Sequence, residues 1–326
     1  MKHLSHLLVL NSLRTLSARM GGVCVLFLIT ICLLLSCNLE DGRDECCMDY
    51  DTVRFRYLYH GNDSFMDYIE QVRYFLFDGE GGYLGEMRPR EDAMNKVSIA
   101  ALSTGGYTLV AVGNLDDYAS VCGHADGGLR EFRLAVNHLH ASGEAFANGD
   151  RLYWGECAFS IVPDAPNNYL GEMSNVHCVL TVRVEWERLP QYDSGYRFVL
   201  DGIGTGMRFC GDGAPAIGVQ KFPEVHGCHG RMCEEVVLRR FALQAGLVTL
   251  RWSDNTIPCF RLYHGDEAVT KAVDLGMVFE RWGWKPSMVP VQEYKIRMLI
   301  KSDGSIEVNV GLSSGVNDWD DGGVLG

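Results

Sequence analysis

The sequence predicts an all-β protein, two β-sandwiches in tandem behind an exported and lipidated N-terminus. Many short segments alternate apolar and polar residues with a period of two, and glycine-rich turns separate them. A helical period is almost absent, and that combination points to sandwiches rather than to helices on a sheet.

The segment ahead of the strands decides where the chain lives. An unbroken apolar run of 16 residues extends from Gly21 to Ser36, preceded by Lys2, Arg14 and Arg19. A membrane-spanning helix wants roughly 20 apolar residues, so the run reads as the core of a signal peptide with a basic leader. It ends in Leu34-Leu35-Ser36-Cys37, which has the form of a bacterial lipobox, with cleavage between Ser36 and Cys37 and acyl chains such as palmitate on Cys37. Each buried methylene contributes about 0.8 kcal/mol, so several chains hold firmly. An ordinary secreted chain and an uncleaved anchor helix are the alternatives. Residues 1–36 are thus expected as the signal peptide and 37–50, too polar to pack, as a lipidated tether.

The first strand is Thr52–Tyr59, with Val53, Phe55, Tyr57 and Tyr59 on one face. Residues 62–70 read as a short helix, 71–78 as a strand, 79–82 as a turn and 83–87 as the returning strand. Further strands are expected at 96–102, 107–112 and 152–162, while 113–150 have no sustained period. Residues 163–168 have linker composition, which places the first domain at 51–170 and the second at 171–326. The run 176–186 alternates cleanly, with Val176, Cys178, Leu180, Val182, Val184 and Trp186 facing one way. Strands follow at 196–200, 235–243, 247–252, 259–263, 293–300 and 306–310. The last two, joined by a turn at 302–305, read as a hairpin whose final strand either completes the second sandwich or is donated to a partner.

Charge narrows the function. No acidic residue precedes Cys37, so the mature chain carries 26 Lys and Arg against 42 Asp and Glu, a formal charge of −16. That excludes nucleic acid as a partner, because such binding rests on neutralising phosphates with Lys and Arg. Of twelve cysteines, two leave with the signal and Cys37 is lipidated. The remaining nine read as opportunistic bridges and buried thiols.

Three stretches carry a family likeness. They are Cys37 and Cys46 followed by Phe55-Arg-Tyr57, then Val72-Arg-Tyr-Phe-Leu-Phe-Asp-Gly79 with Gly82-Tyr83 after it, and Gly105-Gly-Tyr-Thr-Leu-Val-Ala-Val-Gly-Asn114. Together they resemble the FimB-type fimbrial accessory lipoproteins of Bacteroidales, with fimbrillin-like domains of type V pili. Cys47 departs from the pattern, standing where the family commonly has proline. The resemblance implies two transthyretin-like sandwiches in an outer-membrane lipoprotein that anchors a fimbria to the cell surface. It implies shaft subunits as partners, joined by β-strand addition, in which ladder hydrogen bonds supply affinity and side-chain pockets supply register. Shaft subunits of that kind lose their first strand to an arginine-specific protease, whereas anchors keep it. A tip or shaft subunit is the alternative within the same system, with Arg43, Arg54 and Arg56 as places where a protease could act.

Other constellations carry less chemistry. His226, Cys228, His229 and Cys233 contain zinc-type ligands, but the spacing fits no common zinc pattern and a glycine-rich loop with a Cys228–Cys233 bridge is favoured. Gly202-Ile-Gly-Thr-Gly206 lacks the following helix of a dinucleotide fingerprint and reads as a turn. Residues 114–117 lack the acidic ladder of a calcium loop. Trp252, Trp282 and Trp284 could stack on sugars, so a surface glycan-binding lipoprotein using the Trp282-Gly-Trp284 loop is the rival from another class. No catalytic, cofactor-binding or metal-binding residue is assigned.

Overall fold

The computed structural model describes residues 51–312 except 117–118, 124–127, 138–144, 210–222, 224 and 228. Ser36, Cys37, the tether and the tail after Leu312 lie outside the described residues. The first half of the chain forms β1 (Thr52–Tyr59), β2 (Asn62–Asp63), β3 (Val72–Asp78), β4 (Tyr83–Met87) and β5 (Lys96–Ser98). It continues with β6 (Gly105–Gly113), β7 (Ala119–Cys122), β8 (Arg133–Val136), β9 (Tyr153–Ile161) and β10 (Asn168–Asn175). The second half begins with β11 (His177–Trp186), β12 (Tyr196–Ile203), β13 (Gly206–Arg208), β14 (Val225–His226), β15 (Gly230–Val236) and β16 (Ala242–Leu250). The last strands are β17 (Cys259–His264), β18 (Glu267–Ala268), β19 (Val273–Asp274), β20 (Gln292–Ile300) and β21 (Ile306–Leu312). Two short α-helices, α1 (Phe65–Tyr68) and α2 (Leu275–Arg281), interrupt them, and the protein is all-β. No helix among the described residues is long and apolar enough to cross a membrane.

One large sheet runs β2-β1-β10-β9-β6-β3-β4, with β5 also against β1. Its central strands β3 and β6 are buried on both faces, which is why VRYFLFD and TLVAVG read as near-continuous apolar runs. On one face Val53, Phe55, Tyr57, Tyr74 and Leu109 form a core closed by Phe65 and Ile69 around α1. On the other, Phe75, Phe77, Val110 and Trp154 join a second and larger core.

That larger core is shared by the two halves. A small sheet, β14-β13-β8-β7, takes strands from both, with β13 paired to β8. Beyond it, the sheet β16-β11-β20-β21 faces β15-β12-β17-β18 across Leu180, Val182, Phe198, Leu262, Ile296 and Met298. In each half the first strand pairs in parallel with a strand from the end of that half, β1 with β10 and β11 with β20.

Several sequence expectations need correction. Residues 113–150 contain β7 and β8, strands too short to show a period. Of the helix expected at 62–70 only Phe65–Tyr68 is helical, and Asn62–Asp63 instead pairs with β1. The strand expected at 235–243 is the end of β15, a turn and the start of β16. Helix α2 was not expected; Asp274 caps it by accepting the N–H groups of Gly276 and Met277. Strand β10 ends at Asn175, and the chain passes to the next sheet at Val176.

Candidate subunit interface

Strand β1 is bonded along both edges. On one side six residues, Thr52 to Tyr57, pair in parallel with β10. On the other, β5 covers Thr52–Arg54 and β2 covers Leu58 and Tyr59. The gap between β5 and β2 is filled by side chains and a turn. The Phe55 N–H donates to Asn95 O at 2.8 Å, and Asn95 Nδ2 donates back to Phe55 O at 3.1 Å. Tyr57 N–H donates to Asp63 Oδ1 at 3.3 Å, and Ser64 N–H donates to Tyr57 O at 2.8 Å. The strand's main chain is therefore satisfied from end to end, and an incoming strand finds no open ladder there.

Its side chains lock it further. Val53, Phe55 and Tyr57 point into the core, and a fully buried side chain of this size contributes about 1.5–3 kcal/mol. The Phe55 ring lies over Gly171 of β10, where a Cβ would come within 2.5 Å of a ring carbon. The opposite face carries the two arginines. Arg54 pairs with Asp63 at 3.1 Å, and Arg56 Nε donates to Glu172 Oε1 at 3.1 Å. A protease needs an extended substrate free of a sheet, and neither Arg54 nor Arg56 offers one.

The end of β1 meets an aromatic cluster. Tyr57 packs edge-on against Tyr153 at 4.8 Å and Tyr68 at 5.5 Å. A cavity of about 350 Å³ opens between Tyr57–His60 and the Met288–Val291 turn. Next to Tyr68, Asn114, with a left-handed φ of 56°, latches three segments. Its Oδ1 accepts the Glu70 N–H at 2.8 Å, while its Nδ2 donates to Tyr68 O at 2.8 Å and Arg151 O at 3.2 Å. The Gly-Asn that closes the Gly105–Asn114 motif is thus a structural latch. Asp117 lies outside the described residues.

At the other end of the chain, β21 pairs with β20 over seven residues and is the edge strand of its sheet. Val308 is 3% exposed and Ile306 packs on the core, so these two residues of the terminal strand's apolar face are used by its own sandwich. Its outer edge has no partner strand among the described residues.

The remaining candidates fall apart in space. Trp252 is buried and stacks on Tyr294 at 5.6 Å; Trp284 packs on the same core, stacked on Tyr294 at 6.0 Å. Only Trp282, 38% exposed, faces solvent, so the Trp282-Gly-Trp284 loop presents one indole rather than two. Cys233 is a free thiol on β15, and Cys228 lies outside the described residues. His226 belongs to β14, where it pairs with Gly206. Among the described residues no three His, Cys, Asp or Glu side chains are placed to hold a metal. Gly202 and Ile203 end β12 at a bulge, and Gly206 begins β13.

The family model for fimbrillin-A associated anchor proteins Mfa1 and Mfa2 matches residues 44–320. The chain belongs to that family. Solved structures agree with its Mfa2-type fold. The fimbrial anchor protein Mfa2 of Porphyromonas gingivalis is similar with a TM-score of 0.55 and 15% identity, over 81% of this chain and 96% of that one. A candidate adhesin of Bacteroides thetaiotaomicron VPI-5482 gives 0.58 and 14%, over 82% and 95%. A candidate polysaccharide-binding protein of the same strain gives 0.56 and 13%, over 82% and 99%. No curated protein sequence matches the chain.

Proposed function

We propose that this protein is a lipoprotein of the outer membrane, held by lipid on Cys37, that fastens a fimbrial shaft to the cell surface by β-strand complementation. Membership of the fimbrial anchor family supports the fimbrial role. The single observation that carries the anchor reading over a tip or shaft subunit is β1, bonded on both edges and buried on its apolar face. A subunit that must surrender its first strand to receive a neighbour's would leave that strand accessible; this one is built to keep it.

Shaft attachment then uses the C-terminal end. Among the described residues strand β21 leaves one edge of its sheet open, and the tail after Leu312 contains Val316 and Trp319 in a Gly/Ser/Asp context. In this reading the two sandwiches, 51–170 and 171–326 in outline, act as one spacer between the lipid and the shaft. The test is a chain ending at Leu312, expressed in cells that make the fimbria. The expected outcome is a folded, membrane-bound protein with fimbriae shed into the medium. Fimbriae attached at wild-type levels would place the attachment elsewhere.

A further inference from the structure

Strands β15 and β16 leave a two-residue turn together and then part into different sheets. At the turn, Arg239 and Ala242 exchange both main-chain hydrogen bonds, at 2.9 and 3.1 Å. Above it the edges diverge, and higher still a strap from the first half of the chain closes the gap. Phe146, 3% exposed, plugs the space between the sheets. Its N–H donates to Arg231 O at 2.7 Å, and its O accepts the Cys233 N–H at 3.1 Å. Asn148 serves the other edge, donating to Gly246 O at 2.8 Å and accepting the Val248 N–H at 2.7 Å, while the Gly149 N–H donates to Val248 O at 2.9 Å.

Among the described residues the seam between strap and turn is open, a groove of about 970 Å³ lined by Arg183, Glu234–Val237, Arg239, Arg240, Ala242 and Gln244–Gly246. Main-chain groups alternate sides along a strand. Cys233 on β15 and Gly246 on β16 face the strap, so the next outward positions, Glu235 and Gln244, turn their N–H and C=O groups into the groove. Arg239 and Arg240 stand at its rim, and no described carboxylate pairs with either, in a chain of net negative charge. The turn itself is costly. Arg240 and Phe241 both hold positive φ, 48° and 72°, where hairpins of this kind favour Asn and Gly. Phe241 is 69% exposed, and Val237 beside it is exposed too. Strain and an exposed aromatic at one tip are a cost that a docking role would offset.

We propose that this seam binds a short extended segment of a partner protein, one that alternates acidic and apolar residues. The segment continues the pattern the strap has begun, its main chain bridging Glu235 and Gln244, its acidic side chains set against Arg239 and Arg240, and an apolar one against Phe241. The open stretch fits about three residues at the rise of a strand. The proposal stands on the seam alone and holds whether the protein sits at the base or elsewhere in a fimbria.

The probe is a fluorescein-labelled hexapeptide of alternating glutamate and valine, titrated into the purified full chain and read by anisotropy. Saturable binding is expected. It should be lost when glutamate is replaced by lysine, and lost when alternate amides are N-methylated to block a ladder. The paired variant Arg239→Gln with Arg240→Gln, both on an exposed turn, should keep its melting temperature and weaken binding about tenfold. Amide exchange at Glu235 and Gln244 should slow on binding. Absence of binding at about 1 mM peptide, the weak end of specific affinity, would overturn the proposal. So would equal binding by the N-methylated peptide or by the paired variant.

Discussion

Phe55 ties the first strand to the sheet through its ring as well as its main chain. Replacing it with alanine empties the space over Gly155 and Gly171 and should cost about 3–5 kcal/mol, read as a lower denaturant midpoint. Gly171→Ala should destabilise from the other side, since the added Cβ meets the same ring. Asn114 separates two causes. Asn114→Gly keeps the left-handed backbone and loses the side-chain bonds, at about 1–3 kcal/mol; Asn114→Ala adds strain and should be worse in the same melt. His177 carries a pH signature. Its Nδ1–H donates to Leu152 O at 2.9 Å and its Nε2 accepts from Asn175 Nδ2 at 3.0 Å, a neutral ring. Burial pushes its pKa down to about 4, helped by Arg151 and Arg251 although the bond to Leu152 O opposes the shift. The unfolded chain therefore takes up this proton first as pH falls. The contribution is complete above pH 6.5 and drains away between 6.5 and 4, about 2 kcal/mol of it by pH 5. Denaturant midpoints at pH 7 and pH 5 should fall further apart in the wild type than in His177→Gln.

Strand β1 should resist an arginine-specific protease until the whole unit opens, because its bonds and buried face leave no local route to an extended substrate. Limited digestion of folded protein is expected to spare Arg54 and Arg56 and to cut only under conditions that unfold the chain. Early cleavage there would contradict a sealed strand. β1 was legible in the sequence because one face is buried and the other solvated, giving the alternation of Val53, Phe55 and Tyr57. β4, β11 and β20 were legible for the same reason or through the glycine turns beside them. The seam at β15 and β16 was not. Its turn is Arg240-Phe241 without an asparagine or glycine, so apolar residues run through it and 235–243 reads as one strand. β10 was hidden by Gly171, small to admit Phe55, and by the prolines at 163 and 166 just before it. The short strands β8 and β13 pair with each other from far apart in the chain, β7 adds only four residues beside β8, and no local period marks any of the three.

At the scale of the molecule, a shared core ties the two halves into one packed body. The core joins Phe75 and Phe77 of the first half to Met207 and Phe209 of the second. The family motif was readable from residues 105–114, and the structure shows the physical reason, a buried central strand ending in a latch. What composition could not show is which strand edges are open, since that depends on partners far along the chain. Cys37→Ala should release the protein from membranes or leave its signal uncleaved, and labelling with a fatty acid should disappear from that variant. Persistence of label would move the lipid elsewhere. The central claim is that an anchor keeps its first strand. Mass spectrometry of the protein taken from the surface of fimbriated cells tests it most directly. The account predicts an N-terminus at acylated Cys37 with Arg54 and Arg56 inside an intact chain. A mature protein beginning after Arg54 or Arg56 would contradict it and make this a shaft or tip subunit.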